Sequence, residues 1–201
     1  MLGFGRARAH ARSRRVLILC AMTGVAAVGA SMAAAGPASA GSKVTVVASG
    51  LDNPRGLAFG PGGGLYVAEA GHGGSECMPG GPTGGTNCVG FTSGISEIDA
   101  AGPHKILSGF VSMAGPDGTG ATGIDGISTL DNGTIYGIET AAMDILPDGP
   151  NPFLSPHTVA LARAQLGRLI EVHQGGKATV VANVGHFDFQ WSAMHKDLVP
   201  T

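Results

Sequence analysis

Two glutamates stand at matching places in this chain of 201 residues, and carboxylates are side chains that can carry chemistry. Glu69 ends the stretch LYVAE, and Glu139 ends IYGIE seventy positions later. Carboxylate oxygens are ligands that hard divalent cations prefer, so the pair predicts a calcium site. The alternative is that both glutamates are charges at the solvent-exposed ends of strands.

Cys77 and Cys88 are the two cysteines that follow residue 40. The segment between them, MPGGPTGGTN, consists of residues typical of turns, so the chain can bring the two thiols together. We predict a disulfide, because an exported chain meets an oxidising environment. Two free thiols are one alternative. Metal binding with His72 and Glu76 is another, although the spacing fits no standard zinc site.

The first forty residues have the features of a secretory signal peptide. Five arginines precede residue 16, an uncharged apolar run follows, and the triplet Ala38-Ser39-Ala40 ends it. We predict cleavage between Ala40 and Gly41, so that 1–40 is a signal peptide and 41–201 is a secreted domain without a membrane span. An uncleaved anchor is the alternative. Sec and twin-arginine export both stay open.

The predicted mature chain is acidic. It has seven Lys and Arg against fourteen Asp and Glu, which gives a formal charge of −7. This charge excludes the basic footprint of a nucleic-acid-binding protein and makes an anionic membrane a poor partner. The sequence also lacks a Gly-x-Ser-x-Gly nucleophile motif. These features favour a binding module over a hydrolase.

Internal repeats indicate which elements carry these residues. GLAFGPGGGLYVAEAG at 56–71 matches GISTLDNGTIYGIETA at 126–141 without a gap, and ISEIDAAGPHKIL at 95–107 matches LIEVHQGGKATVV at 169–181. Each segment contains two alternating strands around a glycine-containing turn. The glycines of GPGGG are therefore predicted to form a hairpin turn, because no helix follows them as a phosphate-binding loop requires.

Two hairpins in each repeat make a four-stranded unit, and repetition of such units is typical of a β-propeller. We predict an all-β partial propeller, with one short helix at 155–167. KVTVVASG at 43–50 is predicted to be a strand that completes a last unit, and the stretch from His186 to Trp191 is expected to pack a third. The predicted strands of the two units lie at 55–60, 64–70, 94–99, 104–109, 125–130, 134–140, 168–173 and 177–183.

Two units are fewer than the about four to eight of a closed propeller, so we expect a truncated chain, with closure by several copies as the alternative. The long connections would project from one end of the sheets, where we expect a small molecule, a carbohydrate or a protein to bind. Glu69 and Glu139 end their strands there. Five further polar residues fall in the same set of loops: His72, Asp117, Asp125, His186 and Asp188.

The stretch NPRGLAFGPGGGLYVAEAG resembles the NHL-type propeller repeat. The chain more closely resembles the ScyD/ScyE family of exported proteins, in VVASGLDNPRGLAFGPGGGLYVAEAGHGG, GIDGISTL, AQLGRLIEV and NVGHFDFQWS. This resemblance implies a secreted six-bladed propeller of largely uncharacterised biochemistry, with members longer than this chain. A more distant resemblance to gluconolactonase-like propellers implies the alternative of a metal-dependent lactonase, in which Glu69 matches a metal ligand by position only.

Overall fold

A computed structural model describes residues 44–80, 85–140, 146, 149–173 and 175–198. These residues are mostly β-strands in two antiparallel sheets, with two α-helices, as the prediction of an all-β class requires. Neither sheet closes into a ring within this part of the chain. Both sheets belong to one compact unit that begins at Val44.

The first sheet contains the whole of the first predicted unit. Four of its strands pair in the order β1-β2-β4-β5, and β3 pairs with the first half of β4. The pairing is antiparallel throughout. The strands are β1 Pro54–Phe59, β2 Leu65–Glu69, β3 Glu76–Pro79, β4 Thr86–Asp99 and β5 Gly102–Ala114.

The second sheet repeats this order with four strands. β6 Ile124–Thr129, β7 Ile135–Glu139, β8 Arg168–His173 and β9 Lys177–Asn183 pair consecutively, and all pairs are antiparallel. The predicted bounds of β8 and β9 are the observed ones, and those of β6 and β7 differ by one residue.

Glycines make the tight turns that join the first two strands of each sheet. Gly62 and Gly63 between β1 and β2 have φ of 72° and 82°, and Gly133 between β6 and β7 has φ of 85°. A residue with a Cβ is strained at such angles. In the second turn the Asn132 side chain accepts a hydrogen bond from the Thr134 amide at 3.0 Å. The predicted hairpin turn at GPGGG is confirmed.

The two sheets pack face to face through aliphatic side chains. Seven buried residues form their shared core. The first sheet contributes Ala68, Ile95 and Leu107, and the second contributes Ile124, Ile135, Ile170 and Val172. Glycines allow the backbones to approach. A Cβ on Gly56 would lie 2.8 Å from the carbonyl oxygen of Asp125, and a Cβ on Gly137 would lie 3.3 Å from Cδ1 of Ile95. The sheets therefore form a single packed body.

β4 and β5 are longer than predicted. The connection 71–93, which was predicted to be a loop, contains β3 and the first part of β4. β3 and the start of β4 form a hairpin in which Cys77 and Cys88 lie directly opposite each other and form a disulfide. β5 continues to Ala114 along the other side of β4. The predicted disulfide is confirmed, and the hairpin that it joins extends the first sheet.

The predicted helix in the second insertion is α1, Pro156–Gln165. Ser155 caps its N-terminus by accepting a hydrogen bond from the Thr158 amide, and Pro156 occupies the first turn, where its missing N–H costs nothing. Gln165 binds the edge of β5, accepting from the Val111 amide at 2.6 Å. α1 covers a second apolar core formed by Met78, Val89, Val111, Met113, Leu146, Leu154, Ala162 and Leu166.

Two predictions near the ends of the described chain are wrong. Residues 44–50 form no strand and pair with neither sheet, which leaves Val44 and Val46 88 % and 78 % exposed. The stretch from His186 to Trp191 lies in a helix, α2 Val184–Met194, and not in a third sheet. Without a neighbouring strand to pair with, this stretch takes a helix capped by the Asn183 side chain.

The described residues contain no helix that is long and apolar enough to cross a membrane. The predicted signal peptide and its cleavage junction, Ala40–Gly41, lie outside the described residues.

Candidate functional site

Glu69, at the end of β2 away from the glycine turn, is buried and held by several groups. Only 2 % of the residue is exposed. Its Oε2 accepts a hydrogen bond from the Asp52 amide at 2.5 Å, and its Oε1 accepts one from the Ser96 hydroxyl. The Lys105 Nζ lies 3.8 Å from Oε2. Glu69 therefore fastens the segment before β1 to the first sheet.

Asp52 extends this charged cluster toward solvent. Its Oδ2 lies 3.3 Å from Nδ1 of His72 and 3.5 Å from Nζ of Lys105. The cluster stands where the long connections leave the strands, which is the end of the sheets at which the sequence predicts a site. It brings His72 close to Glu69 through Asp52.

Glu139 is likewise buried, with 1 % of the residue exposed. It pairs in register with Ile124 and ends the strand that carries Ile135 and Gly137 on the face toward the first sheet. The alternative interpretation of Glu69 and Glu139 as solvent-exposed strand ends is wrong, because both residues are almost fully buried.

Among the described residues, no group of three or more His, Cys, Asp and Glu side chains could hold a metal ion. Both carboxylate oxygens of Glu69 already accept hydrogen bonds, whereas calcium needs about six to eight oxygen ligands. The predicted calcium site at Glu69 and Glu139 thus gains no support from the described residues.

Glu76, considered as a metal ligand with His72, instead binds the N-terminus of α1. It accepts hydrogen bonds from the Ser155 amide at 2.5 Å and from the Thr158 hydroxyl at 2.8 Å. These bonds, that of the Ser155 amide first, lower the pKa of Glu76 below its ordinary value of 4.5. The carboxylate therefore joins the disulfide hairpin to the helix.

The five other polar residues predicted to share one loop region are dispersed. Asp125 lies 3.6 Å from Nε of Arg55 and accepts from the Thr140 hydroxyl at 2.7 Å. Asp117 closes a local turn with Thr119, whose hydroxyl is the main cause of its lowered pKa. His186 and Asp188 lie in α2. The structure brings only His72 into the cluster that contains Glu69.

A cleft of about 690 Å³ lies between the two sheets at their other end, where the short turns are. The turn at Pro61, the turn at Asn132–Thr134 and the turn at Gly175–Gly176 form its rim. The side chains of Ile135 and Val172 line it and belong to the core between the sheets. We call this space the inter-sheet cleft.

The first sheet presents a carboxylate held between two partners to the inter-sheet cleft. Tyr66 and Glu97 are opposite each other in register and are hydrogen-bonded, and Nε2 of His104 lies 3.3 Å from the Glu97 carboxylate. Burial, followed by the Glu97 charge and this hydrogen bond, raises the pKa of Tyr66 above its ordinary value of 10.0. Tyr66 is thus a neutral hydrogen-bond donor at physiological pH.

The second sheet repeats this arrangement with Tyr136, Glu171 and His173. The Tyr136 hydroxyl donates to Oε2 of Glu171 at 3.3 Å, and Nδ1 of His173 lies 3.8 Å from Oε1. Burial, then the Glu171 charge and its hydrogen bond, raises the pKa of Tyr136. Glu171 and His173 are both lining residues of the inter-sheet cleft, although Glu171 pairs with Tyr136 on the face of the second sheet that points away from the first sheet.

The repeats align these residues, but the sequence did not predict a site at them. Tyr66 matches Tyr136 and Glu97 matches Glu171, and Tyr66 and Tyr136 are the two tyrosines of the chain. The signal was that a hydroxyl and a carboxylate recur together in both units. What the sequence did not show is that β2 and β4 place them opposite each other, at the short-turn end.

The inter-sheet cleft combines an aromatic ring, carboxylate acceptors, an amide and an imidazole: Tyr66, Glu97, Glu171, Asn132 and His173. Such groups can donate hydrogen bonds to a ligand and accept them from it. Lysine and arginine are absent from the described lining residues, so the cleft favours neutral or cationic ligands over anions.

Comparison of the chain with protein-family models, with curated proteins and with solved structures finds no match.

Proposed function

We propose that the chain is an exported, non-catalytic binding module that holds an oligosaccharide in the inter-sheet cleft. In this proposal the two sheets are two blades of a partial β-propeller of the ScyD/ScyE type. The repeated strand order of the two sheets supports the architecture. The Cys77–Cys88 disulfide supports a location outside the cytoplasm, because such bonds persist in oxidising compartments.

The lining of the inter-sheet cleft is the observation that carries the proposal. Its volume of about 690 Å³ falls within the range of small-molecule sites. Sugar hydroxyls both donate and accept hydrogen bonds, as the Asn132 amide does. Glu97 offers a charged acceptor, which makes stronger hydrogen bonds than a neutral one. The Tyr66 ring adds an apolar surface for a sugar ring.

The shape of the surface favours more than one sugar unit. A second depression of about 430 Å³ shares Ile106, Gly175 and Gly176 with the inter-sheet cleft and continues along Lys105–Ser108 of β5. A ligand longer than one ring can therefore lie across both, which is why we propose an oligosaccharide and not a monosaccharide.

The test uses the protein secreted from an expressing host, with its N-terminus read by mass spectrometry. Calorimetric titration with cellohexaose, chitohexaose and xylohexaose measures the dissociation constant of each probe. We expect one of the probes to bind and Glu97→Gln to weaken it by about tenfold or more, since a hydrogen bond to a charged group contributes about 1.5–3 kcal/mol. Tyr66→Ala should weaken it further.

Asp117→Asn is the matched control, because it also converts a carboxylate to an amide but at an exposed turn outside the cleft. Its dissociation constant should equal that of the unaltered protein. Absence of binding for all three probes at millimolar concentration would contradict the proposal. So would binding that Glu97→Gln leaves unchanged while the variant melts as the parent does.

A further inference from the structure

Three polar side chains form a row across the face of the first sheet that points toward the second sheet. Tyr66 of β2 lies opposite Glu97 of β4 in register, and Glu97 lies opposite His104 of β5. The Tyr66 hydroxyl and the His104 imidazole therefore reach the same carboxylate from the two neighbouring strands. We call these three residues the cross-strand row.

Only part of the cross-strand row lies in the inter-sheet cleft. Tyr66 and Glu97 line the cleft, whereas His104 is absent from the described part of its lining. The side chain of His104 is 49 % exposed. The Glu97 carboxylate therefore connects the cleft with an imidazole that is in contact with solvent.

The His104 ring lies between two carboxylates of β4. Its Nε2 lies 3.3 Å from Oε2 of Glu97, and its Nδ1 lies 3.8 Å from Oδ2 of Asp99. The next residue of β5, Lys105, points to the opposite face of the sheet and contacts Asp52. A neutral imidazole carries one N–H and can donate to one of the two carboxylates, whereas an imidazolium can donate to both. Protonation of His104 therefore places a positive charge beside Glu97.

The second sheet and its turns contribute three further titratable groups to the lining of the cleft: Asp131, Glu171 and His173. None of them matches His104, because Thr179 occupies the position opposite Glu171. The Nε2 of His173 lies 2.9 Å from the Thr179 hydroxyl. Among the described residues, His104 is therefore the imidazole that contacts the Glu97 carboxylate.

We propose that His104 controls the pH range in which the inter-sheet cleft binds its ligand. The proposal rests on the oligosaccharide binding proposed above, in which Glu97 accepts a hydrogen bond from a sugar hydroxyl. When His104 is neutral, the full charge of Glu97 is available to that hydroxyl. When His104 is protonated, the imidazolium binds the same carboxylate, and the hydrogen bond to the sugar weakens. Histidine side chains ordinarily change charge between about pH 5 and 8, so binding weakens as the pH falls through this range.

Ligand and proton then oppose each other, and the opposition is reciprocal. A ligand that takes up the charge of Glu97 releases a fraction of a proton from His104. The change in affinity is modest, about threefold to fivefold, because charge pairs that are open to water are weak. Aspartate and glutamate side chains ordinarily titrate near pH 4, so a change of affinity between about pH 5.5 and 8 reports on histidines.

The test is calorimetric titration of the secreted protein with cellohexaose, chitohexaose and xylohexaose at about pH 5.5, 6.5 and 8. The probe that binds should do so about threefold to fivefold more weakly at the lowest pH than at the highest. Heats measured in two buffers of different ionisation enthalpy should show that binding releases protons at the middle pH. His104→Gln keeps a hydrogen-bond donor but does not titrate, so its dissociation constant should not change with pH.

His186→Gln is the matched control, because His186 lies in α2, away from the described lining of the cleft. It should keep the pH dependence of the parent. Nuclear magnetic resonance of the unaltered protein keeps the test informative if His104→Gln does not fold. The side-chain carboxyl carbon of Glu97 should shift as the His104 ring titrates, and a constant shift would overturn the inference.

Two further results would overturn this inference and leave the proposed function intact. The first is binding with the same dissociation constant at every pH. The second is a pH dependence that His104→Gln keeps and His173→Gln removes. Absence of binding for all three probes at every pH is a different result, which would overturn the proposed function and this inference with it.

Discussion

Glu76 shows how one side chain joins separate parts of this molecule. Its carboxylate accepts hydrogen bonds from Ser155 and Thr158 at the start of α1 and stands beside Cys77 of the disulfide. The ionised form is the better acceptor and also suits the positive end of the helix dipole. The hydrogen bonds, that of the Ser155 amide first and then that of the Thr158 hydroxyl, lower the pKa of Glu76.

A pH dependence of stability follows from the lowered pKa. The contribution of Glu76 is present above its ordinary pKa of 4.5 and is lost as the pH falls through the lower value of the folded state. Glu76→Gln should cost about 1 kcal/mol at neutral pH and make stability fall less steeply below the ordinary pKa. Thermal unfolding followed by circular dichroism against pH measures both effects.

Asp197→Asn serves as the control, because Asp197 is exposed. It should melt like the parent at every pH. Equal melting of Glu76→Gln and the parent at neutral pH would show that the carboxylate does not hold α1.

At the residue scale the sequence predicted where the charged residues lie along the strands, but not whether they are buried. The positions of Glu69 and Glu139 at strand ends were predicted, but their burial was not. For Glu69 it involves a hydrogen bond from the Asp52 amide, 17 positions away in the sequence. The sequence also did not predict that Glu97 lies opposite Tyr66, since a long connection separates the two residues. Contacts between distant segments decide which charges are enclosed.

The disulfide hairpin is the element that departs most from the predicted unit. It turns the connection 71–93 into β3 and an extended β4, on which α1 packs. The cysteines are separated by 11 positions, and closing such a loop stabilises the fold by about 3 kcal/mol in the chain-entropy estimate. The effect should concentrate in the hairpin and in α1.

Replacing both Cys77 and Cys88 with alanine should therefore lower stability by about 3 kcal/mol and speed amide exchange in β3 and α1 first. Amides of β7 and β8 should keep their protection until the molecule unfolds globally. Hydrogen exchange resolved by mass spectrometry measures the pattern, and chemical reduction of the parent is expected to reproduce it. A uniform loss of protection would contradict a local role.

At the element scale the hairpins could be predicted because their signals are local. Alternation of apolar residues and the turn residues LDNG and QGG lie within a few positions of each other, and the strands β6–β9 follow them closely. The strand predicted at 43–50 failed because a strand needs a partner, and pairing is not local. The helix α2 was missed for the same reason, since its aromatic residues suggested a sheet that is not there.

The packing of the two repeated sheets is the central feature of the whole molecule. It buries Ile95 against Ile124 and Ile170, and it creates the inter-sheet cleft above Ile135. The proposed binding of an oligosaccharide depends on this contact, because the cleft takes its walls from both sheets. The repeat predicted two similar units, and glycines such as Gly56 decide how closely they approach.

Methyl-selective nuclear magnetic resonance on isoleucine-labelled protein tests this packing most directly. Nuclear Overhauser effects should connect the methyl groups of Ile95 in the first sheet with those of Ile124 and Ile170 in the second, because the three share one core. If Ile95 instead shows effects only to side chains of its own sheet, the two sheets do not pack as described and the cleft does not exist.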